Sequence, residues 1–378
     1  MKVLMFSMDK TLLGANESGG DAVKRHKVYG EFCDELNIIV FCKKGYQKQQ
    51  LSDNVFVWPT NSLIRWNYLF NGYKIGKRIY KNSPFNLVIG DLFTALPAWF
   101  LKMKFKIKFL MHFHGDFWKN KHAMEKKFHN YFFLMLSKFL VRRADAIRVV
   151  SGGIKNKLVK AGIKKDKVHV IPTPADLSKF LTFDQTRVYE LKQKHPNKNI
   201  LFVGRLEKVK NLDWFLNIFK EIKKEYKDVN FLIAGEGSEK ENLKLKAKGL
   251  KLEDSVKFLN KVNYDDLTNY YQLADIFVLP SLSESFGRVL VEAGASSTPC
   301  VSSATTGAKD VIQNKKTGFL VPINNQKQII DKVVTLLKDK KLSIRMGDNA
   351  REFIKENFDG DIQTKKIIRL WQSLVFQD

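Results

Sequence analysis

The chain has 378 residues, 44% of them hydrophobic, with 65 Lys+Arg against 39 Asp+Glu and a formal net charge of +26. That length exceeds what one hydrophobic core holds, so two domains are expected, and the composition excludes a disordered, fibrous or solenoid-repeat protein. The charge is uneven: residues 1–180 carry 32 basic and 13 acidic groups and the remainder 33 and 26, so the first half implies an anionic partner, whether membrane surface, nucleic acid or phosphorylated substrate.

Short apolar runs alternate with helical patterns from the first residues onward. Met1–Lys10 reads as a strand and lacks the apolar stretch of a signal peptide. Strands are predicted in the first half at Val3–Ser7, Ile38–Cys42, Val55–Trp58, Leu87–Ile89, Ile107–His112, Ala146–Val150 and Val168–Ile171. Gly14–Asp21, with Gly19-Gly20 inside it, follows the first strand and opens a helix, and Met111-His112-Phe113-His114-Gly115-Asp116 ends the fifth.

Segment 97–143 is basic and aromatic. Lys102, Lys104, Lys106 and Lys108 alternate with Met103, Phe105, Ile107 and Phe109. Lys126–Arg143 combines five Lys/Arg with Phe128, Tyr131, Phe132, Phe133, Leu136, Phe139 and Leu140. Such a segment suits an anionic bilayer surface, or equally a core helix with basic edges. Its densest apolar run, Tyr131–Leu136, is far short of a membrane span.

Pro172–Phe183 contains Pro-Thr-Pro, which breaks both helix and strand and marks the join, giving expected domains of 1–178 and 179–360. The second half repeats the rhythm with strands at Ile200–Val203, Asn230–Ala234, Val256–Leu259, Ile276–Leu279, Cys300–Ser302 and Phe319–Val321. This βαβα order predicts an α/β protein of two Rossmann-like, doubly wound parallel-sheet domains facing a central cleft, with ligands at the carboxyl ends of the strands. Residues 361–378 close the chain with an amphipathic helix, Ile367, Ile368, Leu370, Trp371 and Leu374 on or near one side, expected to pack back at the domain junction. Cys33, Cys42 and Cys300 have neither metal nor redox-motif spacing and read as buried free thiols in a reducing cytoplasm.

The chemistry concentrates in the second half. Arg205 follows Gly204 at the end of the first strand there, and Lys210 lies five residues on, a guanidinium and an ammonium suited to a diphosphate. Gly235-Glu236-Gly237 follows the next strand and permits close backbone approach, though it is also an ordinary turn. Residues 281–293 read strand end, turn and then a helix starting near Phe286, with Glu284 before its N-terminus and Glu292 two turns inside, roughly 9 Å along. Two carboxylates flanking an anion site fit a ligand with a phosphate group between two polyols.

Gly204-Arg205, Lys210, Gly235/Gly237, Glu284, Phe286-Gly287 and Glu292, in this order on successive strand ends, closely resemble the second domain of the retaining glycosyltransferases of family 4 (group 1), which have the GT-B fold. The resemblance implies that Arg205 and Lys210 bind and stabilise the donor diphosphate, that Glu284 contacts the transferred sugar, and that Glu292 holds the ribose. It places Ser285, Phe286, Gly287 and Arg288 at the donor, Lys261-Val262 in the base-binding loop, Gly307 beside the sugar and phosphates, Gly19 and Gly20 at donor phosphates and acceptor, and His114 against the sugar. His112 is an alternative for that last role and Asp116 a further polar group. No protein nucleophile is implied: in a front-face displacement the acceptor hydroxyl attacks on the side the diphosphate leaves.

Two departures from the family pattern stand out. Thr306-Gly307-Ala308-Lys309-Asp310 replaces Gly-Gly-x-x-Glu, and Asn260 stands where a glycine commonly precedes the base-binding loop. No metal or other cofactor is expected, because Arg205, Lys210 and a helix dipole can stabilise phosphate charge. Asp359-Gly360-Asp361 spells a metal motif of another glycosyltransferase fold, but at the start of a terminal helix it reads as capping or solvated. The expected function is transfer of a sugar from a nucleoside diphosphate, UDP favoured over GDP-mannose, to a lipid-linked or surface-glycan acceptor at the inner face of the cell membrane. A sugar-nucleotide epimerase on the same scaffold and a nucleic-acid-binding protein are the alternatives; no groove-reading motif supports the latter.

Overall fold

The computed structural model describes residues 1–15, 22–115, 118 and 128–376, of 128–133 the backbone only. The chain divides into two compact units, Met1–Pro174 with Asp361–Asp378, and Ala175–Gly360.

The first unit holds one sheet of eight strands: β1 (Lys2–Ser7), β2 (Glu35–Val40), β3 (Gln49–Ser52), β4 (Val55–Pro59), β5 (Leu87–Asp91), β6 (Lys108–Phe113), β7 (Ala146–Val149) and β8 (Val168–Val170). Their spatial order is β3-β4-β2-β1-β5-β6-β7-β8, and among the described residues only the β3–β4 pairing is antiparallel. β3 is absent from the expected strands because Gln-Gln-Leu-Ser is polar and lies at the sheet margin. Interior strands such as β1, buried along Val3–Phe6, are covered on both faces and so read as continuous apolar runs.

The second unit holds six parallel strands: β9 (Lys198–Val203), β10 (Val229–Ala234), β11 (Val256–Asn260), β12 (Ile276–Leu279), β13 (Cys300–Ser303) and β14 (Gly318–Val321), in the order β11-β10-β9-β12-β13-β14. Helices between them are amphipathic. In Leu212–Glu225 the buried set is Leu212, Phe215, Leu216, Ile218, Phe219 and Ile222, a stripe at helical spacing, with Phe215 and Phe219 against Phe231 of β10.

The helix Gly360–Phe376 is a core element of the first unit rather than a separate closing segment. Ile367, Ile368, Leu370 and Trp371 are buried there with Leu36, Ile38 and Val55, and the Trp371 ring meets Tyr29 edge-on at 5.4 Å. The Asp359-Gly360-Asp361 motif lies where this helix succeeds Lys340–Phe358. A Cβ on Gly360 would stand 2.6 Å from the Ala175 carbonyl oxygen, so close backbone contact accounts for its glycine. Cys33, Cys42 and Cys300 are buried free thiols.

Candidate functional site

In the second unit the chain builds β9, β10 and β11 to one side and β12, β13 and β14 to the other, so the strand order reverses between β9 and β12. A doubly wound sheet opens a ligand crevice at the carboxyl ends of such a pair. Every expected site residue of this unit follows a strand end: Gly204, Arg205 and Lys210 after β9, Gly235 and Gly237 after β10, Val262 after β11, Glu284 to Glu292 after β12, Gly307 after β13.

Lys210 and Glu284 meet across the reversal. The ammonium Nζ donates to Glu284 Oε1 at 2.5 Å, and the two side chains are only 16% and 13% exposed. Ser281, which sequence reasoning passed over, donates its hydroxyl to the same oxygen at 3.0 Å. The Leu282 N–H donates to the Val209 carbonyl at 2.9 Å and the Asn211 amide to the Pro280 carbonyl at 3.3 Å, so the two loops are stitched together. Asn211 supports this with left-handed backbone, φ 60°, which asparagine tolerates. Arg205 does not join the pair. It is 75% exposed and bonds Glu207 at 2.7 Å, a weak surface contact that leaves the guanidinium available to an incoming anion.

Glycines bring the loops after β9 and β10 into contact. A Cβ on Gly235 would stand 1.9 Å from the Gly204 carbonyl oxygen, and one on Gly237 2.3 Å from that of Leu206. Gly235 also has φ 149°, outside the range of other residues. The Lys210 stem passes over Gly204, its Cε 3.8 Å from where a Cβ would be. Asn260, the residue in place of a family glycine, has φ 59° and keeps the left-handed conformation that glycine would supply. Its carbonyl accepts from the Gly235 N–H at 2.7 Å. Half-buried Val262 follows, and Asn263 then caps the helix Tyr264–Leu273.

The helix after β12 is Arg288–Ala295, two residues later than expected, because Gly287 takes a left-handed φ of 84° at the cap. Glu292 is therefore one turn into the helix, about 6 Å along, not two turns. It is buried, and both oxygens are engaged: Tyr271 Oη donates to Oε2 at 3.1 Å and Arg288 Nε to Oε1 at 3.0 Å. Arg288 Nη2 also donates to Tyr264 Oη at 2.8 Å. Burial, and then the Glu292 carboxylate, hold the Tyr271 phenol well above its usual range, so it stays a donor. The i,i+4 spacing of Arg288 and Glu292 is legible in sequence; the two tyrosines are not.

The helix start is braced by the loop after β13. The Gly307 N–H donates to the Glu284 carbonyl at 2.8 Å, and a Cβ on Gly307 would fall 2.4 Å from the Phe286 backbone. Phe286 itself packs on Phe358 at 5.7 Å, while Ser285 stays half-buried. Thr306 lies outside the left-handed region, so the missing first glycine of the family pattern leaves no backbone strain there.

In the first unit, β6 delivers His112 and the residues after it. His112 is buried, with Nε2 lacking a hydrogen-bond partner among the described residues, whereas His114 has an exposed side chain; their rings stand 5.5 Å apart. Arg148 of β7 lies in register with His112, is buried, and donates to the Ile171 and Pro172 carbonyls at 2.9 and 2.8 Å. Burial and then the Arg148 charge push His112 well down; burial with Arg148 and Arg25 does the same to His114. For His114, whose ring keeps an exposed face, the two cations are the firmer cause. Both rings are thus neutral at pH 7. Gly19, Gly20 and Asp116 lie outside the described residues, as do the side chains of Phe128, Tyr131, Phe132 and Phe133.

Comparison with known proteins follows the same division. The family described as glycosyl transferases group 1 matches residues 186–353, and glycosyltransferase family 4 matches residues 35–179. An uncharacterized glycosyltransferase of Haemophilus influenzae is 35% identical over 183 residues, a stretch that spans 48% of this chain and only half the length of that relative. The N-acetyl-alpha-D-glucosaminyl L-malate synthase of Bacillus anthracis is 29% identical over 251 residues, 64% of this chain and 62% of that one. Among solved structures, Anabaena HepE in complex with UDP-glucose superposes with a TM-score of 0.79 at 16% identity, covering 99% of this chain and 100% of that one.

Proposed function

We propose that this chain, which belongs to the group 1, family 4-like glycosyl transferases and has their GT-B fold, moves a sugar from a nucleoside diphosphate to a lipid-linked or surface-glycan acceptor with retention of configuration. The observation that carries the reading is the Lys210–Glu284 pair across the strand reversal, with the N-terminus of Arg288–Ala295 beside it. Lys210 and the helix N–H groups neutralise a diphosphate, and exposed Arg205 turns from Glu207 to the same charge. Glu284 orients sugar hydroxyls, and Glu292, fixed by Tyr271 and Arg288, accepts from the ribose. The glycine contacts at Gly204, Gly235 and Gly307 keep the walls thin enough for the ligand to meet backbone.

Preorganised positive charge then stabilises the leaving diphosphate, so chemistry needs neither a metal nor a protein nucleophile. The acceptor hydroxyl attacks from the face the diphosphate leaves and passes its proton to a donor phosphate oxygen. The resemblance to the family assigns His114, neutral at pH 7, to the transferred sugar. UDP is favoured as the carrier because the HepE relative was solved with UDP-glucose. The acceptor would be met at the cytoplasmic face of the membrane.

Thermal stabilisation by UDP-glucose, UDP-N-acetylglucosamine, GDP-mannose and ADP-glucose tests the donor, since a bound donor raises the melting temperature by mass action. A response to UDP sugars that disappears in Lys210→Ala is expected, and no response to any nucleotide sugar would overturn the reading. The anomeric configuration of the product, read by NMR, tests retention.

A further inference from the structure

The basic first unit carries a second, separate feature. Leu63, Ile64, Trp66 and Phe70 are 68%, 56%, 71% and 57% exposed, four large apolar side chains within eight residues. Soluble surfaces scatter such residues singly, so a cluster signals a docking site.

Their presentation is rigid. Ser62 N–H donates to the Cys42 carbonyl at 3.0 Å, and the Asn71 amide donates to Ser62 Oγ at 2.8 Å, pinning the base of the loop. The helix Asn67–Asn82 continues from it and presses Gly72 and Gly76 onto the sheet. A Cβ at these positions would stand 2.8 Å from the Phe41 ring and 2.7 Å from Leu101, so the helix is seated as deep as its backbone allows. The opposite face therefore points outward, and at i, i+4 spacing it shows Trp66, Phe70, Lys74, Arg78 and then Lys81. The apolar end leads and the cations follow. Lys74 Nζ lies 4.2 Å over the Phe70 ring, so the two characters are joined at one point.

Charge decides what covers this face. Residues 54–115 contain nine Lys or Arg and a single acid, Asp91. Among the described residues Arg65, Lys74, Lys77, Arg78 and Lys81 have no ion-pair partner. A second copy of the chain would bring cation against cation across the contact. Nucleic acid would match the charge but not Leu63 and Ile64, which offer no ring for a base to stack on. A bilayer with anionic headgroups matches both, taking the apolar tip into the acyl boundary and the cations at the phosphates.

We propose that the loop Leu63–Trp66 and the outer face of the helix Asn67–Asn82 dock this protein on an anionic lipid surface. The inference deepens the lipid-linked reading above and rests on it for its purpose. The neighbouring segment 97–143 is subordinate: Phe100 and Met103 are exposed beside it, with Phe100 touching Tyr73 at 6.2 Å, but Lys102 is occupied by Asp145.

Flotation with vesicles of phosphatidylcholine, with and without phosphatidylglycerol, tests this on the full chain. Binding is expected only with the anionic lipid. Leu63→Ser/Ile64→Ser/Trp66→Ser, all surface changes, should weaken it about tenfold or more, and Lys74→Gln/Lys77→Gln/Arg78→Gln roughly 100-fold at low salt, about fivefold per cation. Met103→Ser/Met135→Ser should leave it near wild type. Wild type that fails to float on anionic vesicles overturns the proposal. So does a Leu63/Ile64/Trp66 variant that floats normally, or a concentration-dependent dimer, seen by light scattering, that this variant abolishes. UDP-induced thermal stabilisation of the same proteins keeps the two ideas apart. Lost flotation with an intact UDP response strikes only the docking surface, and flotation without a UDP response strikes only the transferase.

Discussion

Lys210 and Glu284 join the loops after β9 and β12 at the one place in the second unit where the strand order reverses. Each is mostly buried, so each depends on the other as well as on any ligand. Lys210→Met leaves the carboxylate without its cation and is expected to cost about 1–3 kcal/mol of stability. Lys210→Met/Glu284→Gln should recover part of that loss in chemical denaturation while the response to a nucleotide sugar stays absent. A double variant that regained the donor response would remove both residues from donor binding.

Glu292 is held by Tyr271 on one oxygen and Arg288 on the other. Tyr271→Phe removes a buried donor and should lower stability by about 1–3 kcal/mol, with a several-fold weaker donor affinity through misplacement of the carboxylate. Glu292→Gln should weaken donor binding by roughly tenfold or more, measured by titration calorimetry, and weaken binding of a 2′,3′-dideoxyribose analogue far less. Equal losses for both ligands would place Glu292 away from the ribose.

Glycine positions separate into those the site requires and those it does not. Gly235→Ala sets a methyl 1.9 Å from the Gly204 oxygen on a backbone with φ 149°, and Gly307→Ala sets one 2.4 Å from the Phe286 backbone. Each is expected to destabilise by about 3 kcal/mol or more. Gly249, at the end of the helix Lys240–Gly249, has open space around its Cβ position. Gly249→Ala should be neutral or stabilising by about 0.5–1 kcal/mol. The order of the three melting temperatures checks the assignment.

Histidines held below their ordinary pKa predict a pH dependence of definite sign. His112 and His114 are held below the ordinary value of 6.5 in the folded chain, His169 likewise, so the unfolded chain binds more protons below that pH. Their contribution is complete above about pH 6.5 and is lost as pH falls; for buried His112 the loss reaches at most about 1.4 kcal/mol per pH unit, and solvent screening reduces it at exposed His114 and half-buried His169. His112→Leu should flatten the decline of the melting temperature between pH 6.5 and 5. An unchanged slope would mean that the ring is already protonated in the folded protein.

Most of the architecture was legible because parallel strands covered on both faces are short apolar runs, as in Ile200–Val203 of β9, Phe231–Ala234 of β10 and Ile276–Leu279 of β12. β3 was not, since an edge strand of Gln-Gln-Leu-Ser shows neither apolar continuity nor alternation. The start of the helix after β12 was misplaced by two residues because Gly287 spends itself on a left-handed cap, and with it the depth of Glu292 changed. Tyr271 and Ser281 were invisible for a different reason: their contacts depend on how helix and loop pack, which local spacing does not encode. The departures at Asn260 and Thr306 resolve in backbone terms, one keeping a glycine-like φ and the other not needing it.

The last helix carries a consequence for the order of events at the ribosome. Ile367, Ile368, Leu370 and Trp371 complete the core of the unit that begins at Met1, so its first strands emerge long before their final neighbour exists. The inserted unit, Ala175–Gly360, is whole at residue 360 and can fold while the earlier-made one still waits. Synthesis runs from the amino end, yet the amino-terminal unit is the second to close. A stop within codons 361–378 would then strike the part of the molecule translated first, leaving its hydrophobic centre open while the later part stands intact.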